Sequence, residues 1–187
     1  VFYFLGKELF NRVTGVSAAF FLSTIPGVMR RSSAGFFEKE AIGGFFMVLS
    51  LYFFARAWKR NQWLSGIGSG IALGLFSISW GGSQMSWLLY PAIVFVPMLF
   101  NSDIRSLIIA YTPTIIIGAA IPMAIQPSGN YGPTNTLVVG NVALLLFLWS
   151  RYLIENLSLM DEKYLSYYVP SVSAIGFLFV HFSALYS

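Results

Sequence analysis

The sequence predicts an all-α, polytopic membrane protein of about seven transmembrane helices. Three observations predict it. Of 187 residues, 10% are charged, 57% hydrophobic and 18% aromatic, whereas a soluble domain carries about 25% charged residues. Mean hydropathy is +0.72. Apolar runs recur along almost the whole length, each near the roughly 20 residues that a helix needs to cross a bilayer. The short alternating segments of a β-barrel are absent from the sequence.

The spans follow from where charges, Gly/Pro clusters and polar turns interrupt the apolar runs. The first is expected at residues 14–28, before Arg30 and Arg31, and the second at 41–57, directly after Glu40. The third covers 64–79 and stops at Trp80-Gly81-Gly82; the fourth covers 87–100. The remaining three are expected at 107–125, 137–149 and 168–186, all within one transmembrane domain over 1–187. The chain begins with Val1 and shows no signal-peptide pattern, so it is expected to be a piece of a longer polypeptide.

Alternating sides collect unequal positive charge. Lys7, Arg12, Arg56, Lys59, Arg60, Arg105, Arg151 and Lys163 fall on one side, and Arg30, Arg31 and Lys39 on the other. The first side is expected to be cytoplasmic. The net charge of +4 then reads as membrane topology and not as a nucleic-acid footprint. There is no cysteine, which removes disulfides and thiolate metal sites.

Within the spans, Gly66, Gly70 and Gly74 share one helix face and let a neighbouring backbone approach. Pro91, Pro97, Pro113 and Pro122 lie in apolar runs, which is tolerated where neighbours satisfy the freed carbonyls. His181, the one histidine, reads as a packed or pore-lining residue of the last span. The sequon Asn156-Leu157-Ser158 falls on the expected cytoplasmic side, as does the acidic pair Asp161/Glu162.

The outer side holds one concentration of charge: Arg30, Arg31, Glu38, Lys39 and Glu40 in "RRSSAGFFEKE". Glu38 and Glu40 suit a helix start, where the macrodipole favours acids by about 0.3–1 kcal/mol. They equally suit a hard divalent cation such as Mg²⁺ or Mn²⁺, with further ligands drawn from elsewhere. Arg30 and Arg31 are either interface anchors or a bidentate clamp for phosphate. The next outer turn, "SWGGSQMS", reads as a plain hairpin or as an aromatic wall beside a substrate channel. Walker, G-x-S-x-G, H-E-x-x-H and dinucleotide-binding patterns are absent from the sequence.

Together, "RRSSAGFFEKEAIG" and the later "SWGG" resemble the catalytic membrane subunit of N-linked oligosaccharyltransferase, archaeal type. That family carries Arg, a small and aromatic run and a D-x-D-like motif on one outer loop, then W-G-G on the next. Arg31, Gly35, Phe36, Phe37, Glu38 and Glu40 fall on the first pattern, and Trp80, Gly81 and Gly82 on the second. The resemblance implies a GT-C glycosyltransferase that moves a glycan from a dolichyl phosphate or pyrophosphate onto Asn of an N-x-S/T acceptor. It implies Glu38 and Glu40 as metal ligands, Arg31 as catalytic support, and Arg30, Arg31, Trp80, Gly81 and Gly82 as substrate-binding. The expected cofactor is Mg²⁺ or Mn²⁺. The expected partners are the lipid-linked oligosaccharide donor, the acceptor polypeptide, the bilayer and the rest of the same enzyme chain, with no nucleic acid. The expected location is a cell membrane, with the Glu38 and Trp80 loops outside.

Two departures qualify the resemblance. Glu38 stands where the family usually has Asp, which lengthens the reach by one methylene. The family's first acidic motif, its later outer-loop Glu and its soluble W-W-D-Y-G domain have no counterpart in the sequence, so the segment is expected to be inactive alone. Another polyprenyl-phosphate-sugar transferase is the alternative enzyme. A transporter or scaffold subunit ranks lower, because its pathway needs ionisable residues inside the spans.

Overall fold

A computed structural model describes residues 1–32, 39–99, 103–126 and 135–157. Among these residues the secondary structure is helical throughout, without strands. Helices α1 (Phe2–Leu9), α2 (Arg12–Thr24) and α3 (Pro26–Ser32) precede α4 (Lys39–Arg60) and α5 (Trp63–Ser79). A single 3₁₀ turn, Gly81–Ser83, leads into α6 (Gln84–Leu99), followed by α7 (Ile104–Ile125) and α8 (Thr136–Asn156). The expected span at 168–186, with His181, Asp161, Glu162 and Lys163, lies outside the described residues.

Three of these helices, α4, α7 and α8, are long and apolar enough to cross a membrane, and α5 is a shorter apolar helix. The run expected to form one span over 14–28 is instead divided. Pro26 has no N–H to continue α2, so α2 ends at Thr24 and Pro26 opens α3. The start of α2 is capped by Asn11, whose Oδ1 accepts from Thr14 N at 2.9 Å. Between α4 and α5 the chain reverses in two residues, with Asn61 at φ 53, the left-handed conformation that Asn tolerates best after Gly.

The glycine row becomes a groove. A Cβ on Gly66 would lie 2.5 Å from Pro113 Cγ, one on Gly70 2.5 Å from Pro113 O, and one on Gly74 2.7 Å from Ile121 Cβ. Ile109, Pro113, Ile117 and Ile121 are four apart on α7 and form the ridge that this groove receives. Pro113 also frees the carbonyl of Ile109, and that oxygen lies 2.7 Å from the Cβ position of Gly66. In return, Gly118 on α7 receives Leu73 of α5. The small residues therefore bring two backbones together, and α5 with α7 forms the centre of the bundle.

Two polar hubs tie the other helices to that centre. Ser50 of α4 donates to Ser69 O of α5 at 2.8 Å and shares a hydrogen bond with Tyr90 of α6; Ser69 Oγ donates back to Ser50 O at 3.0 Å. Asn141 of α8 is 1% exposed. Its Nδ2 donates to Trp87 O of α6 at 2.8 Å, and its Oδ1 accepts from Tyr111 of α7 at 2.8 Å. Trp87 O is the carbonyl that Pro91 leaves without its helical donor, so Asn141 supplies what the proline removed. At the far end of α6, buried Arg151 caps Met98 O at 3.0 Å and pairs with Glu155 at 3.0 Å. Around these hubs Phe54, Leu73, Phe76, Trp87, Ile108 and Leu148 form the core.

Candidate functional site

The alternation of α4 through α8 divides the charges between two ends. Glu8 accepts from Arg60 Nε and Nη2, both at 2.8 Å, and Lys59 donates to the carbonyls of Glu8 and Leu9. These contacts place α1 beside the end of α4. Asp103, Arg105, Arg151 and Glu155 belong to that same end by helix order. The opposite end is built from α3, the start of α4, the turn between α5 and α6, and the start of α8. Of the described carboxylates, only Glu40 stands there.

Glu40 is the second residue of α4 and half-buried in its first turn, so the positive end of the helix favours its negative charge. Three residues on, and hence on the same face, comes Gly43. A Cβ on Gly43 would meet Trp80 Cβ at 3.0 Å and Phe76 Cε2 at 3.2 Å. The first turns of α4 therefore touch the Trp80-Gly81-Gly82 turn as closely as a glycine permits. Trp80 stacks obliquely on Phe76, with ring centroids 6.0 Å apart, and its indole folds over Gly82. A Cβ on Gly82 would lie 2.5 Å from the indole Cη2, so only glycine fits beneath the ring. Ser83 N bonds back to Trp80 O at 3.1 Å and closes the turn.

The expected site residues are thus accounted for as follows. Glu40, Trp80, Gly81 and Gly82 come together at one end, joined through Gly43. Arg30 is exposed on the last turns of α3, and Arg31 follows it in the same helix. Glu38 and the side chain of Arg31 lie outside the described residues. No group of three or more His, Cys, Asp or Glu side chains with metal-binding geometry occurs among the described residues. A carboxylate at a helix start suits a hard cation in kind. One carboxylate does not fill its coordination shell, so other ligands must join it.

Reading the sequence missed Gly43. In "EAIGGFF" it looks like half of an ordinary Gly-Gly pair, and nothing there distinguishes it from Gly44, whose Cβ would meet nothing within 4 Å. Its spacing of three from Glu40 was the available signal.

This arrangement defines a helical membrane bundle whose W-G-G turn is packed against an acidic helix start. A family model described as "Oligosaccharyl transferase STT3, N-terminal" matches residues 1–184, and the chain belongs to that family. Among its relatives is "Dolichyl-diphosphooligosaccharide--protein glycosyltransferase subunit STT3B" of Arabidopsis thaliana. It is 27% identical over 94% of this chain and 25% of the relative. The corresponding subunit of Schizosaccharomyces pombe is 30% identical over 72% of this chain and 18% of the relative. The crystal structure of the Archaeoglobus fulgidus oligosaccharyltransferase in its apo form shares the fold, with a TM-score of 0.78 at 20% identity. It covers 92% of this chain and 23% of that protein. The chain thus spans about a fifth to a quarter of the length of these proteins.

Proposed function

We propose that this chain is the transmembrane part of an oligosaccharyltransferase of the archaeal type. The complete enzyme moves a glycan from a dolichyl phosphate or pyrophosphate donor to the Asn amide of an N-x-S/T acceptor. The observation that carries the reading is the Gly43–Trp80 contact. In a chain of this family, it unites the acidic helix start with the W-G-G turn at one end of the bundle.

In this reading Glu38 and Glu40 would hold Mg²⁺ or Mn²⁺ with carboxylates from the rest of the polypeptide, and the bound ion would supply positive charge beside the lipid phosphate. Arg31, with Arg30 beside it, steadies the phosphate through charge-assisted hydrogen bonds. Glu40 is held at the positive end of α4, and Trp80 packs against the same helix start through Gly43. The segment needs the remaining ligands and the acceptor-reading domain, so it is inactive alone. The Glu40 end faces outward from the cell membrane.

The test uses the full-length enzyme. Glu38→Gln and Glu40→Gln should each lower transfer to an N-x-S/T peptide by at least tenfold, with the thermal midpoint of the purified protein unchanged. Wild-type transfer in both variants would sink the assignment.

A further inference from the structure

At the end of the bundle away from Glu40, the cleft between the last turns of α4 and the start of α5 forms a cavity of about 650 Å³ lined by Phe53, Arg56, Gln62, Trp63, Leu64 and Ser65. Arg56 supplies its charge. Its Nη1 donates to Tyr52 OH at 3.1 Å, one turn back on α4. Its Nε is buried and has no hydrogen-bond partner among the described residues. Burying a donor without an acceptor costs of order 1–3 kcal/mol. Arg56 is the one charged residue that lines the cavity.

The neighbouring cations are differently placed. Lys59 is taken up by the carbonyls of Glu8 and Leu9, and Arg60 by the Glu8 carboxylate. Glu8 is the acidic group nearest Arg56 on the packed elements, and its two oxygens both accept from Arg60. The cavity's other wall is apolar and faces outward: Trp63 is 46% and Leu64 81% exposed. Gln62, which precedes α5, makes no side-chain cap to the first N–H groups of that helix. A ligand here meets one cation and a hydrocarbon wall.

We propose that this cavity binds one anionic phospholipid from the leaflet at the Arg60 end. Arg56 takes the phosphate and Trp63 with Leu64 line the acyl chains. A free phosphate would satisfy the guanidinium and leave the exposed Trp63 and Leu64 wall unused, which is why the lipid is the better occupant. Basic clefts between transmembrane helices are suited to such headgroups. This site is separate from the Glu40 end and does not depend on the transfer reaction.

The test is native mass spectrometry of the full-length enzyme released from nanodiscs of dioleoylphosphatidylcholine with dioleoylphosphatidylglycerol. One phosphatidylglycerol should remain bound, at least tenfold in preference to phosphatidylcholine. Arg56→Gln should lower that occupancy at least tenfold, and Leu64→Gln, at an exposed position, severalfold. Lys7→Gln, exposed at the same end outside the cavity, should leave it within twofold. Unchanged occupancy in Arg56→Gln and Leu64→Gln, or an equal loss in Lys7→Gln, overturns the site. Displacement of the lipid by millimolar inorganic phosphate overturns its assignment to a lipid.

Discussion

Asn141 on α8 donates to the carbonyl of Trp87 on α6, the oxygen that Pro91 leaves open four residues later. The two helices are thus joined where one of them is broken. Asn141→Leu would leave both Trp87 O and Tyr111 OH buried without this partner. We expect a loss of about 1–2 kcal/mol, the range for interhelical hydrogen bonds in apolar surroundings. Pro91→Ala restores the helical donor, so the double variant Pro91→Ala/Asn141→Leu should lose less than the two single losses added. Thermal midpoints of the four proteins in detergent measure this, and strict additivity would show that the amide does not serve the proline gap.

Gly70 gives a second prediction. Its missing Cβ would fall 2.5 Å from Pro113 O, a backbone atom that moves only if α7 moves. Gly70→Ala should destabilise by about 1–3 kcal/mol through overpacking. Gly44→Ala, on the same bundle with open space at its Cβ, should be neutral or slightly stabilising. Equal midpoints for the two variants would mean that α5 and α7 are not locked by the glycine row.

Gly43→Ala tests whether the helix start and the W-G-G turn work together. The added methyl forces Trp80 or α4 to shift by a few tenths of an ångström. Transfer by the full-length enzyme should fall about tenfold while the thermal midpoint moves little. A shift of that size at a reacting centre costs rate out of proportion to stability. Full activity in Gly43→Ala would separate the turn from the chemistry.

The Glu8–Arg60 pair predicts a pH dependence. The hydrogen bond from Arg60 holds the Glu8 carboxyl below the usual carboxylate range, against the partial burial that raises it. A lowered folded-state value stabilises the protein above the unfolded carboxylate range, and that contribution is lost as pH falls through the folded value. Wild type should therefore exceed Glu8→Gln in thermal midpoint at pH 7 and converge with it on acidification below pH 4. Arg60 is half-exposed, so salt should narrow the difference at pH 7.

The helical membrane character and the glycine row were legible because both are written locally. Hydropathy marks a span, and a spacing of four marks a face. The order of the charges also indicated which residues share an end. Partners distant in the chain were not legible. Asn141 looks like an isolated polar residue in an apolar run until Pro91, fifty residues earlier in sequence, is known to be beside it. Arg151 reads as a loop charge, yet it is 3% exposed because α8 continues to Asn156 and Met98 needs a donor. Pro26 was visible, and its effect on the first span was not, since a proline kinks some membrane helices and ends others.

The short length of α5 has one more consequence. Its 17 residues rise about 25 Å, against about 33 Å for the 22 of α4, while the hydrocarbon layer is about 30 Å thick. Beside α5 the bilayer must thin, or the Trp80-Gly81-Gly82 turn must sit several ångströms below the headgroups. The residues from Trp80 to Ser86 carry no charge, and the turn bonds its own backbone, as a recessed position requires. The turn, packed against the first turns of α4, would then leave a depression in the membrane surface beside Glu40.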